Sequence, residues 1–405
     1  MRLLIGIYLI LTLVSMDTLG RYYTADIISN LLISNLETNK PKRIVDLGVG
    51  DASLTIAAYS RWAKAKYFAT EIEPKKAVAI EKKLAFIKVL NCDTLQPNAS
   101  AKLKVKFGSI DIAICNPPYV RVKDKEKYNG LFKSVGCKNF SNLSRITSEI
   151  VFFAHNLKLL KNDGELGIIV SDSLITGKEF RIFRETIFEK FNVRRIIQLP
   201  DNVFNKTEAR THIIFISKSK SSNKTCELLA SNIQGELSKK IIVANSVLID
   251  RMDYQFHSAN IHAKAETKTL KQIGAVIKRG KFSYKELRQS KLSFFHSVHF
   301  KENGVNICFD KPVAKKHHSY SANEGDILMC RVGKRVVGKV AIVKFGRVVI
   351  SDCIYRITVP KRYRHVLLKS LRSEEGKAWL HAFAHGVCSQ VISKSDLENF
   401  PIFYL

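Results

Sequence analysis

Apolar residues in the first half of the chain fall into short continuous runs, separated by polar and glycine-containing turns. Such runs are typical of strands buried on both faces, as in a parallel sheet covered by helices. They predict strands at 43–46, 65–70, 86–90, 110–115, 166–170, 194–199 and 212–217. Apolar positions at helical spacing predict helices as well. One begins at about 27, one runs through 54–58, and two more span 148–160 and 179–190. The alternation of strands and helices predicts an α/β fold.

The pattern changes after a segment rich in lysine and serine at 218–224, which has the composition of a linker. Beyond it come short β-rich pieces with basic turns, and one helix is predicted at 366–382. The chain is long enough for more than one core. We therefore expect an apolar N-terminal extension, a large α/β domain, a connecting segment and a smaller α+β domain. The predicted boundaries are 1–19, 20–218, 219–259 and 260–405.

The N-terminal extension contains an apolar run at 3–14 that follows Arg2. The run resembles the hydrophobic region of a signal peptide, but no small-residue cleavage site follows it. It is also too short for a comfortable transmembrane helix. We favour an extension without an export function, with Met16 as the true start.

The charge balance is unusual, with 66 basic against 36 acidic residues and a net charge of +30. This excess indicates a polyanionic partner, most simply nucleic acid, although a generally basic proteome or a membrane surface would also explain it. The eight cysteines are scattered without a C-x-x-C pair. Their spacing argues against a zinc site and a disulfide framework, so we expect no metal and a reducing, cytoplasmic location.

The chemistry is concentrated in Asn116-Pro117-Pro118-Tyr119, directly after the predicted strand at 110–115. The prolines end the strand because they have no N–H for the ladder. In an open α/β sheet, ligands bind at the carboxyl ends of the strands. An amide oxygen and a prolyl carbonyl together can accept both hydrogens of an exocyclic amine, while the tyrosine ring stacks on the base. The alternative is a plain strand end with a surface tyrosine.

A second cluster follows the strand at 43–46, where Gly48 and Gly50 allow a tight turn. Glu71 follows the next predicted strand. Its spacing from the glycine turn along the sequence is close to the roughly 20 residues expected between such a turn and a ribose-binding carboxylate. Ser53 occupies the last glycine position of the dinucleotide pattern. The cluster therefore predicts a nucleoside cofactor that lacks a pyrophosphate.

Together these segments resemble the S-adenosylmethionine-dependent N6-adenine DNA methyltransferases of the amino (TaqI-type) group, including the modification subunits of type I restriction systems. The resemblance covers about 20–218 and implies a Rossmann-like catalytic domain. It implies cofactor-binding roles for Tyr23, Thr24, Asp46, Gly48, Gly50, Glu71 and Asp93. It implies catalytic roles for Asn116, Pro117, Pro118 and Tyr119. Asp93, which would accept from the cofactor adenine, has the alternative role of a turn cap.

Contacts with the substrate are expected from both domains. By resemblance, Phe204 is a second aromatic residue against the extruded base, and a hydrophobic loop anchor is its alternative. The region 260–405 resembles, more loosely, the target-recognition domain of type I specificity subunits. Its basic turns would neutralise phosphates. The candidate residues are Lys278, Arg279, Arg331, Lys334 and Arg335.

The resemblance implies S-adenosyl-L-methionine as cofactor and double-stranded DNA as partner. If the protein serves a restriction-modification system, the nuclease is expected on a separate chain, with this protein a monomer or dimer that binds no membrane. Two other functions remain open. One is methyl transfer to RNA adenine or protein glutamine, because related enzymes share the Asn-Pro-Pro-Tyr motif. The other is a catalytically inactive nucleic-acid-binding protein.

Overall fold

The computed structural model describes residues 26–201, 210–220, 224–263, 267–290, 292–300, 306–309, 313, 319–333, 335–385 and 390–404. The predicted N-terminal extension and four candidate site residues lie outside these ranges. The four residues are Tyr23, Thr24, Phe204 and Lys334.

One large sheet dominates the N-terminal two thirds of the chain. Its strands are β1 (Arg43–Leu47), β2 (Lys66–Glu71), β3 (Ile87–Asn91), β4 (Ile110–Cys115), β5 (Leu160–Ser171), β6 (Asn192–Gln198), β7 (Thr211–Ser217), β8 (Thr225–Ala230) and β9 (Ile241–Ala244). They lie in the order β3-β2-β1-β4-β5-β7-β6-β8-β9. Strands β1 to β5 pair in parallel, and β7 runs antiparallel to both of its neighbours. The predicted α/β class and its strands between 43 and 217 are confirmed.

Helices cover both faces of this sheet. They are α1 (Asp26–Ser34), α2 (Ser53–Arg61), α3 (Pro74–Lys83), α4 (Ala99–Lys102), α5 (Asn129–Ser134), α6 (Ser148–Leu159), α7 (Asp172–Thr176), α8 (Arg181–Lys190), α9 (Asn245–Leu248) and α10 (Tyr254–Ala263). Successive residues of a strand point to opposite faces. Ile44 and Ile112 accordingly enter the cluster that contains α1 and α2 residues, whereas Val45 and Ala113 enter the cluster that contains α6 and α8 residues. Burial on both faces explains the continuous apolar runs.

Two boundaries in this region differ from the predictions. β5 begins at Leu160, before the predicted 166, because the residues that resemble a terminating turn form an irregularity within the strand. Asp163 there has a φ of 61°. The predicted connecting segment at 219–259 is partly sheet, since β8 pairs with β6 and β9 pairs with β8. The lysine- and serine-rich composition marks only the turn between β7 and β8.

The C-terminal region has two smaller sheets. The first has the order β10-β17-β14-β15-β12 and the second β11-β16-β13. The strands are β10 (Val276–Arg279), β11 (Phe294–Phe295), β12 (Asn306–Cys308), β13 (Ser321–Asn323), β14 (Ile327–Cys330), β15 (Val340–Phe345), β16 (Arg347–Ile350) and β17 (Ile354–Thr358). The helices are α11 (Tyr284–Gln289), α12 (Lys361–Arg372), α13 (Glu374–Phe383) and α14 (Lys394–Glu398). The domain boundary at 260 stays a prediction.

The single helix predicted at 366–382 is in fact two helices, α12 and α13, that meet at Ser373. The Ser373 hydroxyl accepts a hydrogen bond from the Gly376 N–H at 3.0 Å and thereby caps α13. A Cβ atom on Gly376 would lie 1.8 Å from the Ser370 carbonyl oxygen, so the sharp turn requires glycine. The apolar periodicity continues across this break and hides it in the sequence.

The two regions are joined by contacts between α10 and α13. The buried Arg251 guanidinium pairs with Asp253 at 2.8 Å and donates to the Ala382 carbonyl at 2.8 Å. The Phe256 and Phe383 rings pack beside it, with centroids 4.6 Å apart. Among the helices in the described ranges, none has the length and apolar character needed to cross a bilayer.

Candidate active site

Four neighbouring parallel strands end at the same edge of the large sheet. Register pairs Asp46 of β1 with Ile114 of β4, and Glu71 of β2 with Asn91 of β3. The thiol of Cys115, the last residue of β4, lies 3.3 Å from the Leu47 carbonyl at the end of β1. The loops after β1 to β4 therefore bring together the predicted glycine turn, both predicted loop carboxylates and the Asn-Pro-Pro-Tyr segment at one edge.

The turn after β1 depends on left-handed backbone at Gly48 and Gly50, with φ values of 74° and 59°. The Gly48 N–H donates to the Thr70 hydroxyl at 2.9 Å, which fixes the turn against the end of β2. A Cβ atom on Gly48 would lie 3.0 Å from the Phe152 ring. Glycine at 48 thus meets two needs, a positive φ and close contact with an aromatic ring of α6.

The Glu71 carboxylate is buried and held by backbone donors. Its Oε2 accepts from the Gly50 N–H at 3.2 Å, and its Oε1 accepts from the Glu73 N–H at 3.0 Å. Each carboxylate oxygen has a second lone pair. The glycine turn therefore orients the Glu71 carboxylate at the edge of the sheet, and its predicted contact with a ribose stays a prediction.

The Asp46 carboxylate is fully buried beneath the turn, where it accepts a hydrogen bond from the Thr55 hydroxyl at 2.8 Å. Burial is the main cause that raises the pKa of Asp46 to about 7; the Thr55 hydrogen bond opposes this shift, and the negative charges of Asp51 and Glu71 add to it. The Asp46 carboxyl is therefore partly protonated near neutral pH.

Asp93 lies two residues beyond β3 and is partly buried. Its Oδ1 accepts from the Leu95 N–H at 2.9 Å, so the turn-cap alternative is confirmed for this oxygen. The Tyr128 hydroxyl donates to the Leu95 carbonyl at 2.7 Å and fixes the same turn. The predicted contact between Asp93 and an adenine amino group stays a prediction.

The Asn-Pro-Pro-Tyr segment leaves the end of β4 with Pro117 buried and the other three residues partly buried. The Tyr119 hydroxyl donates to the Asn116 side-chain oxygen at 3.0 Å. The ring and the amide are therefore neighbours, as a base-stacking and amine-binding pair would need to be. The catalytic role of this pair stays a prediction.

Ser148, at the start of α6, fixes the Asn-Pro-Pro-Tyr segment and was not among the predicted site residues. Its hydroxyl donates to the Pro118 carbonyl and accepts from the Val120 N–H at 3.1 Å. Its N–H donates to the Val120 carbonyl at 2.9 Å. Ser148 is completely buried, so these hydrogen bonds have no competition from water. The only sequence signal was its position in the first turn of an apolar helix.

The same face of α6 contacts the neighbouring loops, since residues four and seven positions apart align on a helix. Phe152 packs against Gly48, one turn after Ser148. His155 Nε2 lies 3.0 Å from the Gln96 carbonyl, in the loop that follows Asp93. Helix α6 therefore holds the Asn-Pro-Pro-Tyr segment, the glycine turn and the loop after β3 in one fixed arrangement.

Comparison with known proteins agrees with this geometry. Residues 10–255, more than half of the chain, match the model of the N-6 DNA methylase family. The chain belongs to the N-6 DNA methylase family. Membership of this family implies S-adenosylmethionine as the methyl donor, in line with the predicted cofactor.

Two curated relatives come from restriction systems. The type I restriction enzyme MpnII methylase subunit of Mycoplasma pneumoniae is 22% identical over 300 residues, which cover 67% of this chain and 54% of that protein. A putative type II restriction enzyme and methyltransferase of Methanocaldococcus jannaschii is 31% identical over 121 residues, which cover 28% of this chain and 10% of that protein. The chain thus spans about half or less of the length of these relatives.

A solved structure similar in fold is the type IIG restriction endonuclease BpuSI. The alignment has a TM-score of 0.53 and 15% identity, and covers 93% of this chain and 57% of that one. At this identity the likeness concerns the fold alone. It includes the C-terminal region, which lies beyond the residues that the family model matches.

Two of the predicted basic residues in the C-terminal region are held by an acceptor within the protein. Arg279 pairs with the Asp352 carboxylate at 3.2 Å, and both Arg279 and Arg331 donate to the Asp352 carbonyl. Lys278 and Arg335 are exposed. The structure therefore brings Arg279 and Arg331 together, but around an internal acceptor.

Proposed function

We propose that this protein transfers a methyl group from S-adenosyl-L-methionine to N6 of an adenine flipped out of duplex DNA, within a restriction-modification system or derived from one. The observation that carries the proposal is the position of Asn116 and Tyr119 beside the glycine turn at the carboxyl edge of the sheet. A chain of the N-6 DNA methylase family needs two sites to meet. The pair of Asn116 and Tyr119 would bind the amine, and the glycine turn would bind the methyl donor.

The residues at the edge suit the cofactor chemically. The oriented Glu71 carboxylate would accept from the ribose hydroxyls. The unused oxygen of Asp93 would accept from the adenine amino group. Tyr23 and Thr24 are proposed to contribute from the preceding segment. The bound cofactor supplies an electrophilic methyl group on a sulfonium.

The target base is proposed to stack on Tyr119, with Phe204 as a second aromatic contact. Extruding a base from duplex DNA costs a few kcal/mol. Stacking on an aromatic side chain returns about 1–3 kcal/mol per base. Stacking therefore offsets a large part of the extrusion cost and holds the exocyclic amine in the plane of its acceptors.

The Asn116 side-chain oxygen and the Pro117 carbonyl are proposed to accept the two N6 hydrogens. This would turn the nitrogen lone pair out of conjugation and toward the methyl group that the bound cofactor supplies. As the N–C bond formed and the carbon–sulfur bond broke, one N6 proton would become acidic and would pass to water without a strong base. Catalysis by this site is therefore mainly a matter of positioning.

The two other functions differ in substrate or in chemistry. A glutamine-modifying enzyme needs no polyanion-binding surface, whereas this chain has a net charge of +30. An inactive binding protein has no need for the buried contacts that Ser148 makes with the catalytic segment. We propose duplex DNA as the partner, a separate nuclease chain, a monomeric or dimeric state and a cytoplasmic location.

The test is to incubate the protein with S-adenosylmethionine carrying a deuterated methyl group, in parallel with duplex DNA, RNA and a protein mixture. Each sample is digested and analysed by mass spectrometry. Labelled N6-methyladenine in DNA alone is the expected result. Label in RNA or glutamine would show that the substrate is not the one proposed. Cofactor binding without any labelled product would identify an inactive protein.

A further inference from the structure

Helix α12 presents a row of cations on the surface of the C-terminal region. Its 12 residues contain six basic side chains, counting His365, and no acidic one. Five of the six are exposed: Lys361, Arg362, His365, Lys369 and Arg372. Residues three to four positions apart lie on one helix face. Lys361, His365, Lys369 and Arg372 therefore form a continuous stripe.

These charges are not neutralised by neighbouring carboxylates. Among the described residues, no carboxylate forms an ion pair with any of the five side chains. The nearest acidic residues along the chain are engaged elsewhere, since Glu374 pairs with Lys377 at 2.8 Å and Glu375 accepts from the Tyr404 hydroxyl at 3.2 Å. Lys369 and Arg362 lie over the rings of Tyr404 and Tyr363, 4.5 and 4.8 Å from the ring centroids, and these contacts leave their positive charge in place. Positive charge on one face that no carboxylate neutralises indicates a ligand that supplies the negative charge.

The opposite face of α12 is already used by the fold. Leu367 and Leu371 are buried in the cluster that contains Trp379 and Ile327. A basic helix that binds a lipid surface inserts its own apolar face. The buried leucines leave α12 no such face, so the helix is suited to a hydrophilic polyanion rather than to a membrane.

We propose that α12 binds the phosphate backbone of duplex DNA outside the target base. A helix of 12 residues is about 18 Å long at 1.5 Å per residue. One DNA strand presents a phosphate about every 3.4 Å of helix axis, hence about five along that length. Lys361, Arg362, Lys369 and Arg372 supply four positive charges over this length, which is close to that number. The inference rests on the proposed function for the identity of the polyanion.

In this proposal the phosphate-binding surface is α12 rather than the turns that contain Arg279 and Arg331. Those two arginines already donate to Asp352. A guanidinium that donates to a protein acceptor gains less from a phosphate, because binding would exchange one acceptor for another. Among the described residues, no carboxylate pairs with the exposed α12 cations, so a phosphate would not have to replace one.

The experiment measures how salt weakens binding of a fluorescent DNA duplex by the full-length protein, without cofactor. Three proteins are compared: the wild type, K361Q/R362Q/K369Q/R372Q, and the control K64Q/K66Q/K82Q/K83Q. The control removes four exposed lysines near the amino edge of the large sheet and α3. Glutamine keeps helix propensity close to that of lysine and arginine, so both variants should fold.

Each lost phosphate contact lowers the slope of log Kobs against log salt by about 0.9. For the α12 variant, we expect the magnitude of this slope to fall by about 2 to 4 and the affinity for DNA to fall by about tenfold to a hundredfold. Both losses should be the same for duplexes of any sequence. The control should keep the wild-type slope. An unchanged slope in the α12 variant, or an equal loss in the control, would overturn the inference. Because no methyl transfer is measured, failure of the proposed chemistry would be seen separately.

Discussion

The Tyr119 hydroxyl donates a hydrogen bond to the Asn116 side-chain oxygen, with 3.0 Å between the two oxygens. This oxygen is the atom that we propose as an acceptor for the N6 hydrogens of the target base. Tyr119 therefore holds the amide in place before the base arrives, and must yield the oxygen or share it when the base binds. One residue thus combines two roles, orientation of Asn116 and stacking on the base.

Substitutions of Tyr119 separate these roles. Tyr119→Phe keeps the ring and removes the hydroxyl, so methyl transfer to DNA should change by less than about tenfold, the equivalent of one hydrogen bond. Tyr119→Ala also removes the ring, and stacking worth about 1–3 kcal/mol corresponds to a further tenfold to hundredfold loss. The rate of methyl transfer to DNA in a single turnover is measured for both variants. Equal rates for the phenylalanine and alanine variants would contradict the stacking role.

Ser148→Ala tests whether α6 positions the catalytic segment. The substitution leaves the buried Val120 N–H without its acceptor, at a cost of about 1–3 kcal/mol. We expect kcat to fall about tenfold or more, while KM for the cofactor stays within about twofold because the glycine turn is untouched.

Ser100→Ala is the matched control for this substitution. Ser100 is also completely buried, and its hydroxyl has no hydrogen-bond partner among the described residues. The control should therefore have wild-type kcat. If Ser148→Ala lowered only the free energy of unfolding, with kcat unchanged, Ser148 would be structural and not a positioning residue.

The buried carboxyl of Asp46 predicts a pH dependence of stability. Its pKa is about 7 in the folded protein, whereas an unfolded aspartate has a pKa near 3.8. Between these values the unfolded chain releases the proton and the folded protein keeps it. The stability that this group contributes is therefore complete below about pH 4 and is lost as the pH rises through 7. The difference corresponds to about 4 kcal/mol.

Asp46→Asn removes this titration. Urea unfolding of the cofactor-free protein from pH 4 to pH 8 should show a free energy of unfolding that falls more steeply for the wild type than for the variant. The two curves should diverge mainly below pH 7 and run parallel above about pH 8. Parallel curves over the whole range would contradict the raised pKa of Asp46.

The sequence was sufficient for features that depend on local pattern. Strands β1 to β7 were predictable because burial on both faces makes each of them a continuous apolar run. The loop residues at the carboxyl edge were predictable because each follows directly on such a strand. The break at Ser373 was missed because a single cap interrupts an otherwise continuous helical periodicity.

Features that depend on tertiary contacts were not predictable. Ser148 lies about 30 residues from Pro118 in the sequence, and no local pattern marks the hydrogen bond between them. The prediction that Arg279 and Arg331 bind phosphates did not anticipate that both would converge on Asp352. Charge content alone indicates that a surface is basic, but only the fold shows which cations lack a partner.

The measurement that tests the central claim most directly is methyl transfer by Asn116→Ala. Asn162→Ala, at an exposed position in the irregular first part of β5, serves as the control. Transfer of tritiated methyl groups to duplex DNA is measured together with the affinities for cofactor and DNA. We predict that Asn116→Ala binds both ligands within about threefold of the wild type yet loses at least about a hundredfold in transfer rate, the loss typical of removing one preorganised group. Wild-type transfer by Asn116→Ala would contradict the account.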